Sequence, residues 1–394
     1  MCSFFIAAFK NLFFNSSIAF MDSEEFSLYF EKSEVAGLYA PSIPNGQTFA
    51  DCLVADNYDV AILGVRTDNA SLANVGTALA PNSIRQYLYA LRGGFKQIKI
   101  ADLGNIRPGK SDDETKLALK AVAEDLAKRG VVIIVLGGSQ DLTSTIFDGI
   151  KFSMREVNVA VIDSRADFMP LNSVVDSSNY MTKIANDKML QSIDFIAYQS
   201  YYIGETMLSD LIEKNYISPK CRLGQVRQNL KGVEPVLRDS DLVSVDMSVV
   251  RQSDAPGNLN PSPNGLFGEE ACQLMRMAGC SDRVKALGLF EVNPQADNNG
   301  QTANLAAQMI WHFVEALDNR CGDYPKQSID AYKRFVVPIG EKTAMNFFYG
   351  KLRDRWWIEV PMQDETRIIA CSEDDYRAAS KGQTPEVWFR YYMK

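Results

Sequence analysis

Three features of this 394-residue chain predict a three-layer αβα protein built on a mostly parallel central sheet. Short β-branched runs alternate with amphipathic helix patterns from residue 59 to about 310. The runs are almost wholly apolar, so helices must cover both faces of the sheet they form. Unusual polar residues then follow several runs at once, at the carboxyl ends of the strands, where open parallel sheets bind ligands.

The elements follow in order. "DVAILGVR" (59–66) is a buried strand by length and composition. "SDDETKLALKAVAEDLAKRG" (111–130) is a complete helix signal. Ser111 and Glu114 form a capping box, Leu119, Val122 and Leu126 share one face, and Gly130 ends it after Lys128 and Arg129. Further strands read at "VVIIVLGG" (131–138), "VNVAVID" (157–163), "IDFIAYQS" (193–200), "LVSVDM" (242–247) and "VKALGLFEVN" (284–293).

After residue 322 the character changes. "RDRWWIEVP" (353–361) reads as a strand, "SEDDYRAASKG" (372–382) as a capped helix, and "TPEVWFRYYMK" (384–394) as a final helix with Thr384 as N-cap and Pro385 at its first position. Residues 323–394 are therefore expected to form a small α+β extension, which Trp356, Trp357 and Trp388 pack onto the main domain of residues 21–322. A partner-binding surface is the alternative use of such aromatics. Residues 1–20 form an apolar leader broken by Lys10, Asn11, Asn15, Ser16 and Ser17. It fits neither a signal peptide nor a span of roughly 20 apolar residues, and Met21 is the expected true start.

Composition narrows the function classes. A net charge of -8 argues against nucleic acid or an anionic membrane as partner. The 7 cysteines are scattered without a C-x-x-C pair, as in a reduced cytoplasmic protein. The single histidine, His312, lies within the helical pattern "AAQMIWHFVEAL" and reads as structural.

Four strand ends carry polar signatures: "GGSQD" (137–141), "DSRAD" (163–167), "SVDMSVVRQSDAPGNLNPSPNG" (244–265) and "EVNP" (291–294). In this order they resemble the ureohydrolases, the family of arginase, agmatinase and formimidoylglutamase. That family's motifs are Gly-Gly-Asp-His, Asp-Ala-His-x-Asp and Ser-x-Asp-x-Asp with a downstream Pro-Gly and a further glycine. The third match is the most specific, with Ser244, Asp246, Gln252, Pro256, Gly257 and Gly265 at the family's spacing. "GVRTDNASLANVGTALAPNSIR" (64–85) and "DLGNI" (102–106) resemble its amino-terminal segments.

The resemblance implies an arginase-like fold and a site where two manganese ions share six protein ligands and activate a hydroxide. Carried over residue by residue, the ligand positions fall on Gln140, Asp163, Arg165, Asp167, Asp246 and Ser248. Only Asp163, Asp167 and Asp246 keep the family's residue. Arg165 stands where a histidine is expected and cannot coordinate, because a guanidinium keeps its proton. Glu291 matches the carboxylate that holds a substrate guanidinium or amidine. The family's proton-shuttling histidine would fall near Tyr180.

From these substitutions the sequence leads to a non-catalytic member of the fold that binds a protein partner or a small guanidino or amidino ligand. It expects no metal or other cofactor, with Arg165 as internal counter-charge to the three aspartates. The alternative is a hydrolase of linear amidines with a reduced site, in which Asp163, Asp167 and Asp246 hold Mn²⁺ or Mg²⁺ once Arg165 swings outward. A homo-oligomer is expected from the family's habit.

Overall fold

The computed structural model describes residues 20–35, 46–171, 174–325, 332–339, 343–362 and 365–392. The leader, except Phe20, lies outside the described residues.

Eight strands form the central sheet: β1 (Phe30–Glu31), β2 (Val60–Gly64), β3 (Ile100–Ile106), β4 (Val132–Leu136), β5 (Val157–Ile162), β6 (Leu190–Ile196), β7 (Leu242–Asp246) and β8 (Ala286–Phe290). Their order is β1-β3-β2-β4-β8-β7-β5-β6. Only β1 runs antiparallel to its neighbour. Every residue of β2, β4, β5 and β8 is buried, as expected of strands with helices on both sides. Burying each such Val, Ile or Leu side chain contributes about 1.5–3 kcal/mol.

The helices are α1 (Ser23–Ser27), α2 (Ala80–Leu88), α3 (Asp112–Lys128), α4 (Leu142–Ile150), α5 (Tyr180–Ala185) and α6 (Glu205–Glu213). They continue with α7 (Leu223–Gln228), α8 (Glu234–Asp239), α9 (Gly268–Gly279) and α10 (Gln301–Asp318). The signals read for α3 act as predicted. Ser111 Oγ accepts from the Glu114 amide at 3.2 Å, and the Glu114 carboxylate accepts from the Lys110 amide at 2.7 Å. Leu119, Val122, Ala123 and Leu126 are fully buried, and Gly130 ends the helix at φ 76°. Helix α3 packs on α4, and α10 packs on α9 and α2.

Within the central sheet, β3 and the two-residue β1 were hidden from the pattern. "DLGNI" lies inside β3, where Asp102, Gly104 and Asn105 break the apolar run. A buried arginine from α2 makes this affordable: Arg85 donates to Asp102 at 2.8 and 2.9 Å, to Asn105 Oδ1 at 2.7 Å and to the Gly104 carbonyl at 2.7 Å. Buried polar groups so paired escape the penalty that would otherwise exclude them from a core strand.

The carboxy-terminal part is a separate antiparallel sheet of β9 (Lys333–Ile339), β10 (Thr343–Gly350), β11 (Arg355–Pro361) and β12 (Thr366–Cys371), in the order β12-β11-β10-β9. Helices α11 (Glu373–Ser380) and α12 (Glu386–Tyr392) complete it. Its tryptophans divide their work, contrary to the expectation that all three dock the module. Trp356 stacks on Tyr376 at 4.7 Å, and Trp388 packs against the same internal core. Only Trp357 lies on the sheet's other face, where the Arg238 guanidinium from α8 sits 4.5 Å from its ring centre. Adjacent strand residues point to opposite faces, so the pair Trp356-Trp357 had to split.

Candidate active site at the carboxyl ends of the strands

The four polar signatures meet because their strands are neighbours. Strands β4, β8, β7 and β5 are consecutive in the sheet, so the segments after them leave it side by side. Glycines make room for that crowding. A Cβ on Gly138 would stand 1.7 Å from the Thr67 carbonyl oxygen, and one on Gly137 would stand 2.0 Å from the Phe290 ring. The Gly138 carbonyl is left to accept the Glu291 amide at 3.0 Å.

Glu291 is held as a functional group is held. Its backbone sits in the left-handed region at φ 62°, a conformation that costs a non-glycine residue about 1–3 kcal/mol. Its carboxylate accepts from Ser71 Oγ at 2.6 Å, Asn74 Nδ2 at 2.9 Å and the Gln140 amide at 3.0 Å. Asn74 in turn accepts from the Leu259 amide at 2.9 Å, tying the loop after β2 to the loop after β7. Burial, together with the nearby Asp246 charge, pushes the Glu291 carboxyl up to about 8.

Beside it lie the three aspartates. Asp163 Oδ1 accepts from the Arg165 amide at 2.9 Å, and Asp246 Oδ1 accepts from the Ser248 amide at 2.6 Å. Asp167 has left-handed backbone at φ 50°. The Asp163 and Asp167 carboxyls are both desolvated by burial and perturb each other, and two such acceptors are eased by a proton or a cation. Burial and the Asp246 charge raise Asp163 well above the usual carboxylate range and Asp167 to about 7. Burial raises Asp246 as well.

Two further residues line this cluster. Tyr180, at the start of α5 and fully buried, accepts from Gln140 Nε2 at 2.8 Å. Burial and the surrounding acids, Asp167 first, hold its phenol protonated far above neutrality. It occupies the neighbourhood where a proton-carrying histidine was sought. Ser248 is buried, with its hydroxyl 3.3 Å from Ser164 Oγ. His312 sits on α10 beside Trp311, far in topology from the strand-end loops.

Arg165 departs from the expectation. Rather than bridging the aspartates, its guanidinium lies 4.4 Å from the centre of the Tyr202 ring, and among the described residues it forms no ion pair. Its charge still lowers Asp167 and Asp246 from a distance. The reason is local. The Arg165 amide is already turned onto Asp163, and the loop at Tyr202 is pinned to this segment by a 2.9 Å bond from the Gln199 amide to the Ser164 carbonyl. The side chain therefore leaves the cluster along an aromatic face.

With the arginine outside, oxygen donors at the cluster are left unsatisfied. Asp163 Oδ2 and Gln140 Oε1 are buried without a hydrogen-bond partner, next to carboxylates that repel one another. Among the described residues no three His, Cys, Asp or Glu side chains converge on a ready-made metal site, and like charges would not do so unaided.

Ser71, Asn74 and Tyr202 were not singled out from the sequence. Ser71 and Asn74 stand in "NASLANVG", a polar segment directly after a buried strand, and that placement was the available signal.

Known proteins resemble this chain over most of its length. The model of the arginase family matches residues 58–315. A formimidoylglutamase of Staphylococcus haemolyticus is 23% identical over 274 residues, covering 66% of this chain and 87% of that protein. One of Lysinibacillus sphaericus is 25% identical over 290 residues, covering 69% and 88%. The structure of Trypanosoma cruzi formiminoglutamase with Mn²⁺ superposes with a TM-score of 0.66 at 20% identity, covering 70% of this chain and all, 100%, of that one. These relatives correct two expectations. The reading as a non-enzyme does not stand against relatives that are named enzymes, and the expectation of no metal does not stand against a neighbour solved with manganese. The substitutions at Gln140, Arg165 and Ser248 misled because each was weighed as a lost ligand, while the three aspartates remain together and Asp163 Oδ2 and Gln140 Oε1 are unsatisfied. With its motifs brought to one edge of the sheet and the family model spanning most of its main domain, the chain belongs to the arginase family.

Proposed function

We propose that this chain hydrolyses a C–N bond of a linear amidine, a formimidoyl or guanidino compound, with a divalent cation, manganese first, among its strand-end carboxylates. The observation that carries this reading is Glu291. It is a buried carboxylate on strained backbone, fixed by three donors and aimed at a cluster of acids, which is how a cation-binding group is prepared.

Asp163, Asp167 and Asp246 would hold the ion, with Gln140 Oε1 as a neutral fourth donor. A divalent cation there supplies a water acidic enough to act as nucleophile near neutral pH. The chain's own residues do the rest. Glu291 pairs with the substrate's amidinium, and that positive charge brings its raised carboxyl back to the ionised form. Ser71, Asn74 and the Gln140 amide keep it from turning away. Tyr180 holds a proton at Oη and can donate it as a hydrogen bond toward the acids around it. Water adds to the amidine carbon and the amine leaves with a proton, giving formamide from a formimidoyl group or urea from a guanidino group. Thiols at Cys52, Cys221, Cys272, Cys280, Cys321 and Cys371 are all free, which supports a reducing compartment such as the cytoplasm.

The test is to incubate the purified full chain with manganese and, separately, formimidoylglutamate, arginine and agmatine, measuring formamide or urea. Product from one of them is expected, together with a rise in melting temperature on adding manganese. No product from any, and no thermal shift, would overturn the reading.

A further inference from the structure

Arg165 is the one feature of the site that metal-assisted hydrolysis leaves without a task. Its guanidinium reaches none of the three aspartates around it, although an arginine among buried carboxylates would ordinarily pair with them. Its polar contacts among the described residues are the backbone bond to Asp163 and a weak 3.4 Å approach of Nη1 to Ser164 Oγ, so most of its donor fork is uncommitted.

The surface on which it rests is built. The Tyr202 hydroxyl donates to Ser262 Oγ at 3.1 Å, on the loop after β7. The Tyr202 amide bonds the Gln199 carbonyl at 2.9 Å, and the Gln199 amide bonds the Ser164 carbonyl at 2.9 Å. Gln199 Nε2 reaches the Asn264 carbonyl at 3.1 Å, and Tyr201 packs edge-on against Tyr202 at 4.7 Å. The ring is thus fixed from two loops, and a guanidinium stacked on a fixed ring keeps its in-plane N–H groups free for an anion. The loop after β7 joins the two recognition groups, because Asn258 Nδ2 donates to the Glu291 carbonyl at 3.3 Å and Ser262, four residues on, holds the ring on which Arg165 rests.

We propose that Arg165, propped on Tyr202, is the group that pairs with a substrate carboxylate while Glu291 holds the amidinium end, so that this arginine sets the preference for an acid over its amide. This rests on the amidine reading for the Glu291 end only. The residue that stands in a ligand position has then become a specificity determinant.

Calorimetric titration of the manganese-loaded full chain with γ-guanidinobutyrate, γ-guanidinobutyramide and glutarate tests it. The carboxylate should bind about 10- to 100-fold more tightly than its amide, as a charge-assisted bidentate pair provides. That ratio should fall to near one in Arg165→Gln and stay intermediate in Arg165→Lys, which keeps the charge without the fork. Tyr202→Leu, on a different loop, should reduce it several-fold, and a melting curve for each variant reports folding. A wild-type ratio near one, or one unchanged in Arg165→Gln, overturns the inference even if amidines are still hydrolysed. Glutarate bound by the wild type and weakened by Arg165→Gln, with no amidine turnover, would keep the Arg165 assignment and sink the hydrolase reading. Binding of none of the three removes both.

Discussion

Asp241, at the amino end of β7, and Asp194, within the edge strand β6, each meet a guanidinium, Arg283 at 3.0 Å and Arg390 at 2.6 Å. At the carboxyl ends of the same sheet, Asp163, Asp167 and Asp246 meet chiefly one another. Both regions take carboxylates out of water, which is costly unless a counter-charge follows. The carboxy-terminal module supplies part of that counter-charge: Arg390 comes from α12, and Arg355 from β11 reaches Glu234 at 3.1 Å. At the carboxyl ends Lys116 meets Asp141 at 2.6 Å, but among the described residues no cation pairs with the three aspartates, and the arginine beside them turns onto a tyrosine. One end is neutralised from within and holds the fold together. The other leaves its three aspartates facing one another.

That contrast can be broken in order of size. Arg390→Ala leaves Asp194 buried without its main partner and frees the Asn215 carbonyl it also binds. A loss of about 3–5 kcal/mol in denaturant unfolding is expected, and a loss below 1 kcal/mol would show the pair to be dispensable. Glu291→Gln should lower kcat/KM for the amidine by about 100-fold or more while the melting temperature holds or rises, because a carboxyl raised to about 8 is a burden to the fold. An equal fall in stability would instead make Glu291 structural.

Asp239 tests the amino ends by pH. It accepts from the Ala370 amide at 2.8 Å, across the junction with the module, and burial pushes its carboxyl up to about 6. The folded state therefore holds this proton more tightly than the unfolded chain does. Its contribution to stability is full below the free carboxyl's pKa and falls as pH rises toward about 6. Asp239→Asn, which keeps the acceptor, should flatten that slope and gain roughly 2 kcal/mol at neutral pH; an unchanged profile between about pH 4 and 7 would refute it. The smallest effect is Asp163→Asn. Relief of repulsion should raise metal-free stability by about 1 kcal/mol, opposite in sign to Arg390→Ala, and abolish the thermal shift given by manganese. A lower metal-free stability would place Asp163 with the paired acids of the other end.

Much of this was legible beforehand. The uniformly apolar runs of β2, β4, β5, β7 and β8 identified a sheet covered on both faces, and Ser111 with Glu114 fixed the start of α3. Strand β3 was not legible, because the partner that neutralises Asp102 and Asn105 is Arg85, on another element. Asp163, Asp167, Asp246 and Glu291 could be named from their motifs. Their supports, Ser71 and Asn74, come from a loop some two hundred residues away in the chain, and hydrogen bonds across that separation leave no periodic mark.

Sequence by itself determined which residues end the strands, because periodicity and motif spacing are properties of neighbours along the chain. It also determined that Arg165 cannot be a ligand, since that follows from the chemistry of a guanidinium. Only the tertiary structure decided where that guanidinium goes. The direction of a side chain at a strand end depends on which surface is offered to it, and here Tyr202 offers a fixed aromatic face while the aspartates are left to one another.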